Sequence, residues 1–149
     1  MEKIASFAID HDILHEGIYL SRTDDDVITY DLRVKEPNKG DYVDNAVLHT
    51  FEHLFATFAR NSELAQSVVY FGPMGCRTGF YLLVRDSVSP ADAIALVQDA
   101  LAFIAEYEGD IPGSKKEECG NYLDHDLQGT KEVARTYREA VRNWTPEML

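Results

Sequence analysis

The segment His49-Thr50-Phe51-Glu52-His53 places two opposed demands on one stretch of chain. On an α-helix, at about 100° per residue, His49, Glu52 and His53 fall within roughly a third of the circumference. Val47, Phe51, Leu54, Phe55 and Phe58 recur at i, i+4, i+7, i+8 and i+11 and form an apolar stripe on the other side. A helix is therefore predicted from about Asp44 to Arg60, with Asp44 or Asn45 as N-cap. Its back enters a core, and its polar face turns His49, Glu52 and His53 toward something else. Two imidazoles four residues apart, with a carboxylate beside the second, have the geometry of two metal ligands plus an acid/base group. The competing reading is a chance pair on a solvated face. The opposed stripe and the small neighbours Ala46 and Ala56 weigh against it.

Two histidines do not make a tight metal site, and the candidate third ligand is Cys119. It lies in the polar, loop-like run Glu117-Glu118-Cys119-Gly120-Asn121, where a thiol has no packing purpose and the glycine lets the backbone come close. A thiolate and two imidazoles suit Zn, Fe or Co and leave a position for water or substrate; the alternative is a cysteine that only caps a turn. Cys76 sits between two predicted strands in Pro73-Met74-Gly75-Cys76-Arg77-Thr78-Gly79. Beside Arg77 and near a metal, its thiolate form would be favoured, as a nucleophile or proton-transfer group requires. An inert structural thiol is an equal alternative at this stage.

The charge balance narrows the partners. Fourteen basic against 26 acidic residues give a net charge of −12, which repels phosphate backbones and anionic membranes, so nucleic acid is not expected as a partner. Its longest basic cluster, Lys115-Lys116, is followed at once by Glu117-Glu118. Met1 to Ser6 does not read as a secretory signal, and no apolar run approaches the ~18 residues of a membrane span. A cytoplasmic location is expected, and with it no disulfide between Cys76 and Cys119.

Periodicity supplies the remaining elements. Phe7 and Ile9 alternate in what reads as a short strand or an extended arm. Ile18 to Arg22 reads as a strand, Thr23 to Asp26 as a solvated turn, and Val27 to Val34 as the partner strand, with Arg33 facing away from Ile28, Tyr30, Leu32 and Val34. Ser67 to Phe71 and Thr78 to Val84 are further strands around a Gly-Pro connection. Ser89-Pro90 opens a helix to about Tyr107, buried through Ile94, Val97, Leu101 and Ile104 or Ala105. A last helix is predicted from about Gly129 to Asn143. The expected architecture is α+β: one domain over residues 1–149, with helices packed on one face of a mainly antiparallel sheet. His15 and His125 read as ordinary surface histidines.

Taken together, Ser6-Phe7 with Asp10-His11, Asp31-Leu32-Arg33 followed by Pro37-Asn38, His49 to His53, Gly75 to Gly79, and Cys119-Gly120 resemble the S-ribosylhomocysteine lyase family, the LuxS-type autoinducer-2 synthases. The order and spacing of five motifs carry the resemblance over nearly the whole chain. It implies a homodimer with active sites at the subunit interface. It implies a metal, natively Fe(II) and replaceable by Zn or Co, held by His49, His53 and Cys119 plus water, with Glu52 and Cys76 as the acid/base pair. Ser6, His11 and Arg33 would reach the substrate from the partner subunit. The implied reaction cleaves the thioether of S-ribosylhomocysteine by carbonyl migration and β-elimination. Its products are homocysteine and 4,5-dihydroxy-2,3-pentanedione, the autoinducer-2 precursor.

One stretch departs from the family pattern. Where an Asp-containing run usually precedes Pro-Met-Gly-Cys and helps hold the homocysteine end, this chain has Tyr70-Phe71-Gly72. Tyr70 is either a substrate contact or a strand residue facing the core. Two other functions fit parts of the sequence. An inverzincin-type peptidase would use His49, Glu52 and His53, but a soft Cys119 ligand suits it poorly. A non-catalytic metal-binding scaffold would have no use for Glu52 and Cys76.

Overall fold

The hairpin expected from the alternating segments forms, and the two further strands make a second one. The computed structural model describes all 149 residues, Met1–Leu149. After a single helical turn, α1 (Ala5–Ala8), β1 (Gly17–Asp24) and β2 (Val27–Arg33) pair antiparallel. Asp25 takes the left-handed turn position at φ 51°, which a short polar side chain tolerates. β3 (Val68–Pro73) and β4 (Gly79–Arg85) make the second hairpin, and the sheet runs β1-β2-β4-β3, antiparallel throughout. The helix α2 (Asn45–Arg60) packs on the sheet, α3 (Pro90–Ala105) against α2, and α4 (Leu127–Ala140) against both.

The period of two decides which residues meet α2. Tyr30, Leu32, Phe80, Leu82, Val84 and Phe71 fall on one face and are buried. The apolar stripe of α2 lands on them. Phe51 stacks on Phe80 with ring centroids 4.5 Å apart, and Phe55 stacks on Phe71 at 3.9 Å. One turn of α2 separates the two phenylalanines, so both rings lie on the sheet together. α3 starts as its sequence indicates: the Ser89 hydroxyl accepts from the Asp92 amide at 3.1 Å, and Pro90 takes the first helical position. Ile94, Val97, Leu101 and Ile104 are its buried stripe.

Three expectations need correction. Ala5–Ala8 form a helical turn, where a strand or an arm was expected, and Ile9 only caps its end. Neither Phe7 nor Ile9 enters the core, so their alternation has no sheet face to match. Because α1 lies against the opposite side of the sheet, beside Thr29, Tyr81 and Leu83, only the three long helices share one face. Finally, α4 begins two residues before Gly129 and ends at Ala140. Asp126 is its N-cap, accepting from the Gly129 amide at 2.9 Å. Gly129 lies inside the helix, where a Cβ would stand 2.7 Å from Val47 Cγ2, so the glycine admits the close approach of α2 and does not start the helix.

The C-terminal segment pins the edge strand. Tyr137 donates to the Gly17 carbonyl at 2.7 Å, and Trp144 Nε1 donates to the Ile18 carbonyl at 2.9 Å. A Cβ at Gly17 would collide with the Trp144 ring. No helix is long and apolar enough to cross a membrane.

Phe51 is 1% exposed and stacks on three other rings. Phe51→Ala should therefore lower unfolding free energy by about 3–5 kcal/mol, read from the urea midpoint at constant m-value.

Candidate metal centre and proton-transfer cavity

On the face of α2 opposite the phenylalanines, His49 and His53 stand one turn apart with rings nearly perpendicular, 4.5 Å between centroids. Each ring is fixed from behind by a backbone carbonyl. His49 Nδ1 donates to Asp124 O at 2.8 Å, and His53 Nδ1 donates to Pro112 O at 2.8 Å. Both carbonyls belong to the segment joining α3 to α4. With the proton on Nδ1, each Nε2 presents its lone pair forward, as metal-ligating histidines do. Cys119 comes from the same segment. Its sulfur lies 3.3 Å from His49 Nε2 and accepts the Asn121 amide at 3.4 Å.

These donors fit a metal. Metal–nitrogen and metal–sulfur bonds of about 2.0 and 2.3 Å in a tetrahedron put neighbouring ligand atoms about 3.5 Å apart, close to the observed separation. Two imidazoles and a thiolate are the donor chemistry of Zn, Fe(II) or Co(II). His49, His53 and Cys119 thus form a site compatible with a single metal ion. Glu52 projects from the same helix face, half-buried, outside this donor cluster.

A fourth donor faces the same space. His125, expected to be a surface histidine, stacks on His49 at 4.1 Å, and its ligand atom lies within 4.8 Å of the other three. Thr50 explains how it is held. The Thr50 hydroxyl donates its one proton to Ala46 O at 3.0 Å and accepts the Asp126 amide at 2.9 Å. It is therefore an acceptor toward His125 Nδ1, 2.9 Å away, which puts the imidazole proton on Nδ1. His125 Nε2 is then an unprotonated, buried atom without a partner. Burial, and then the adjacent His49 and His53, lower the His125 pKa below the ordinary histidine value, consistent with a neutral ring. The only sequence signal for His125 was its place six residues after Cys119, which carries no helical or ligand spacing. His15 does lie on the surface, paired with Glu36 at 2.9 Å.

Cys76 sits elsewhere on this chain. A cavity of about 390 Å³ is lined by Ser6, Phe7, His11, Arg33, Cys76 and Tyr81, among others, and by none of the metal-cluster residues. Four residues singled out in the sequence, Ser6, His11, Arg33 and Cys76, are thus brought together. Arg33 reaches the cavity from the underside of β2. It is 1% exposed and bound to the equally buried Asp31 through Nε at 3.1 Å and Nη2 at 2.6 Å. Its Nη1 lies 3.9 Å from Cys76 Sγ. Arg77, expected to be the cation beside Cys76, instead lies over the Tyr42 ring at 5.7 Å. The Tyr81 phenol, raised in pKa by burial and then by Asp31, stays protonated on the cavity wall.

Tyr70 does not face the core. It is 53% exposed on the underside of the sheet. Its hydroxyl occupies the space over Gly72, where a Cβ would collide with it. It lines a second cavity, of about 340 Å³, that shares Ser6 and Tyr81 with the first.

Residues 4–148 match the family described as S-ribosylhomocysteinase (LuxS). The chain belongs to this family. It is 43% identical to the S-ribosylhomocysteine lyase of Phocaeicola vulgatus, over all of this chain and 96% of that protein. It is 47% identical to that of Clostridium acetobutylicum over all of this chain and 98% of that protein. To the one from Desulfotalea psychrophila it is 47% identical over 92% of this chain and 89% of the other. LuxS membership over this length, together with a cysteine among the converging donors, displaces the inverzincin reading.

Gly113 gives a test of the metal centre that leaves every donor in place. Its φ is +71°, and a Cβ there would lie 2.9 Å from His53 Nδ1. Gly113→Ala should tilt the ring away from Pro112 O and weaken metal binding by about 10–100-fold, measured by competition with a chromophoric chelator.

Proposed function

We propose that this protein is a metal-dependent S-ribosylhomocysteine lyase, cleaving its substrate to homocysteine and 4,5-dihydroxy-2,3-pentanedione. The observation that carries the proposal is the convergence of His49 Nε2, His53 and Cys119 Sγ beside Glu52 in a chain of this family. Fe(II) is the proposed resident ion, exchangeable with Zn or Co, because the same donors accept all three. A thiolate ligand and a free catalytic thiol both call for a reducing compartment, which supports a cytoplasmic location; Cys76 and Cys119 are unpaired.

The carbon–sulfur bond at C5 of the ribose does not break readily while the carbonyl is at C1, because no neighbouring group stabilises the carbanion that would expel sulfur. Moving the carbonyl to C2 and then C3 solves this. The bound metal supplies Lewis-acid polarisation of the sugar oxygens. Cys76 and Glu52, as the acid/base pair, shuttle protons between the carbons and the oxygens. With the carbonyl at C3, loss of the C4 proton drives the C4 electrons into a C4–C5 double bond. The C5–S bond breaks, and its electron pair leaves as homocysteine thiolate. The enol that remains tautomerises to the dione. Arg33, Ser6 and His11 orient the substrate in the cavity that Cys76 lines.

The active form is proposed to be a homodimer, in which Cys76, Ser6, His11 and Arg33 of one protomer face the metal cluster and Glu52 of the other. Two observations support this. The Cys76 cavity includes no metal-cluster residue of its own chain. The underside of the sheet carries Tyr70, with Ile4 and Phe7 of the N-terminal turn exposed beside it at 56% and 69%.

Anaerobic loading with Fe(II) and addition of S-ribosylhomocysteine should release free homocysteine thiol over many turnovers. Cys76→Ala and Glu52→Gln should each reduce turnover by at least about 10²–10⁴-fold with metal content unchanged. No thiol release from metal-loaded wild type would sink the lyase, and substantial turnover in either variant would sink that residue's role. Tyr70→Asp should shift KM with little change in kcat, since Tyr70 borders the cavity system without touching Cys76; an unaltered KM would remove this position from substrate binding.

A further inference from the structure

Two residues after the exposed Cys76 stands a buried polar side chain, Thr78, which none of the roles above uses. Arg77, between them, holds a left-handed conformation at φ 61°. It is fixed there by its amide on Met74 O at 3.0 Å and its carbonyl on the Val43 amide at 2.9 Å. A non-glycine residue in that region is strained, and such strain persists only where the surroundings hold it. Cys76 and Thr78, on either side of Arg77, meet side by side, with Thr78 Oγ1 3.0 Å from Cys76 Sγ.

The direction of that contact follows from counting protons. A threonine hydroxyl has one proton and two lone pairs, and a guanidinium can only donate. Arg33 Nη1 donates to Thr78 Oγ1 at 2.8 Å. The hydroxyl accepts there, so its own proton is free to point at sulfur. Arg33 itself is farther from the sulfur, at 3.9 Å, and its charge is already shared with Asp31 through two hydrogen bonds. The hydroxyl is the shorter route by which the cation's polarisation reaches Sγ, since hydrogen bonds in series reinforce one another. All three supporting groups, Asp31, Arg33 and Thr78, are 1% exposed, while Cys76 is exposed. Water therefore competes at the sulfur but not along the chain that aligns the hydroxyl.

We propose that Thr78 is a positioning residue for Cys76: its hydroxyl, oriented by the Asp31–Arg33 pair, donates a hydrogen bond to the sulfur and favours the thiolate needed for proton transfer. This rests on Cys76 being the acid/base group. A hydrogen bond to the charged form stabilises that form, and the fixed hydroxyl also limits where the sulfur can sit.

The test is alkylation of Cys76 by iodoacetamide in the metal-loaded protein, with the modified site located by peptide mass and the rate followed against pH. Wild-type Cys76 should react at pH 7 faster than a cysteine in an unfolded peptide. Thr78→Val, which keeps the shape and removes the hydroxyl, should react about tenfold more slowly at pH 7, with its pH profile moved upward by about one unit. Thr78→Ser should restore the wild-type profile, which a merely structural role for the side chain would not require. Turnover should fall in kcat more than in KM for Thr78→Val. Identical profiles for wild type and Thr78→Val overturn the proposal. So does a wild-type rate no greater than the unfolded peptide's, a result that stands even if the valine variant fails to fold. If alkylation follows the expected pattern but wild type releases no homocysteine, the lyase assignment fails and the Thr78–Cys76 hydrogen bond does not. If wild type turns over and alkylation is unchanged by Thr78→Val, Thr78 alone is wrong.

Discussion

The stacking of Phe51 on Phe80 and of Phe55 on Phe71 fixes the rotation of α2 about its own axis, and the metal centre takes its bearing from that rotation. A turn of the helix by one residue, about 100°, would swing His49 and His53 away from the segment that holds them. Such a slip would also lift two large rings from an apolar face, each removal costing several kcal/mol. The core thus does more than stabilise. It aims two imidazoles, and it does so with rings that have no chemical part in the site.

The segment between α3 and α4 completes what α2 begins. It contains no long regular element, yet it supplies the Pro112 and Asp124 carbonyls behind the two histidines, the Cys119 sulfur beside them, and His125 stacked against His49. The reason a loop can hold this geometry is that it is tied at several points to a rigid helix. Thr50 is one such tie, binding both His125 and the Asp126 amide at the start of α4. The cavity that Cys76 lines is built on the opposite face of the sheet. There the buried Asp31–Arg33 pair takes a place that apolar side chains of similar volume would fill at less desolvation cost. The alignment it gives to the Thr78 hydroxyl and the Cys76 sulfur is what the apolar alternative would lack.

Much of this was legible in the chain. The helix around His49 announced both of its faces, because a period of 3.6 separates the phenylalanines from the histidines wherever the helix is placed. Cys119 was a candidate because two imidazoles need a third donor. The first hairpin and the Ser89-Pro90 helix start could also be read locally. Other features could not. His125 has no spacing that relates it to His49, and it reaches the cluster because the segment folds back across α2. Arg77 is adjacent to Cys76 in sequence, yet the left-handed backbone at Arg77 turns its side chain onto Tyr42, and the cation near the sulfur is Arg33, 43 residues away. Phe7 and Ile9 alternate as in a strand but have no core to enter.

The sequence by itself determined the long elements and, through the order of its motifs, the family and the chemical types gathered there, because periodicity and motif spacing are local properties that survive any packing. Tertiary structure alone decided which groups share a cavity. It separated Cys76 from the metal cluster of its own chain, joined it to Ser6, His11, Arg33 and Thr78, and added His125 to the donors. Contacts of that kind depend on how segments distant in sequence cross in space, and no local pattern encodes where a side chain will find its neighbour.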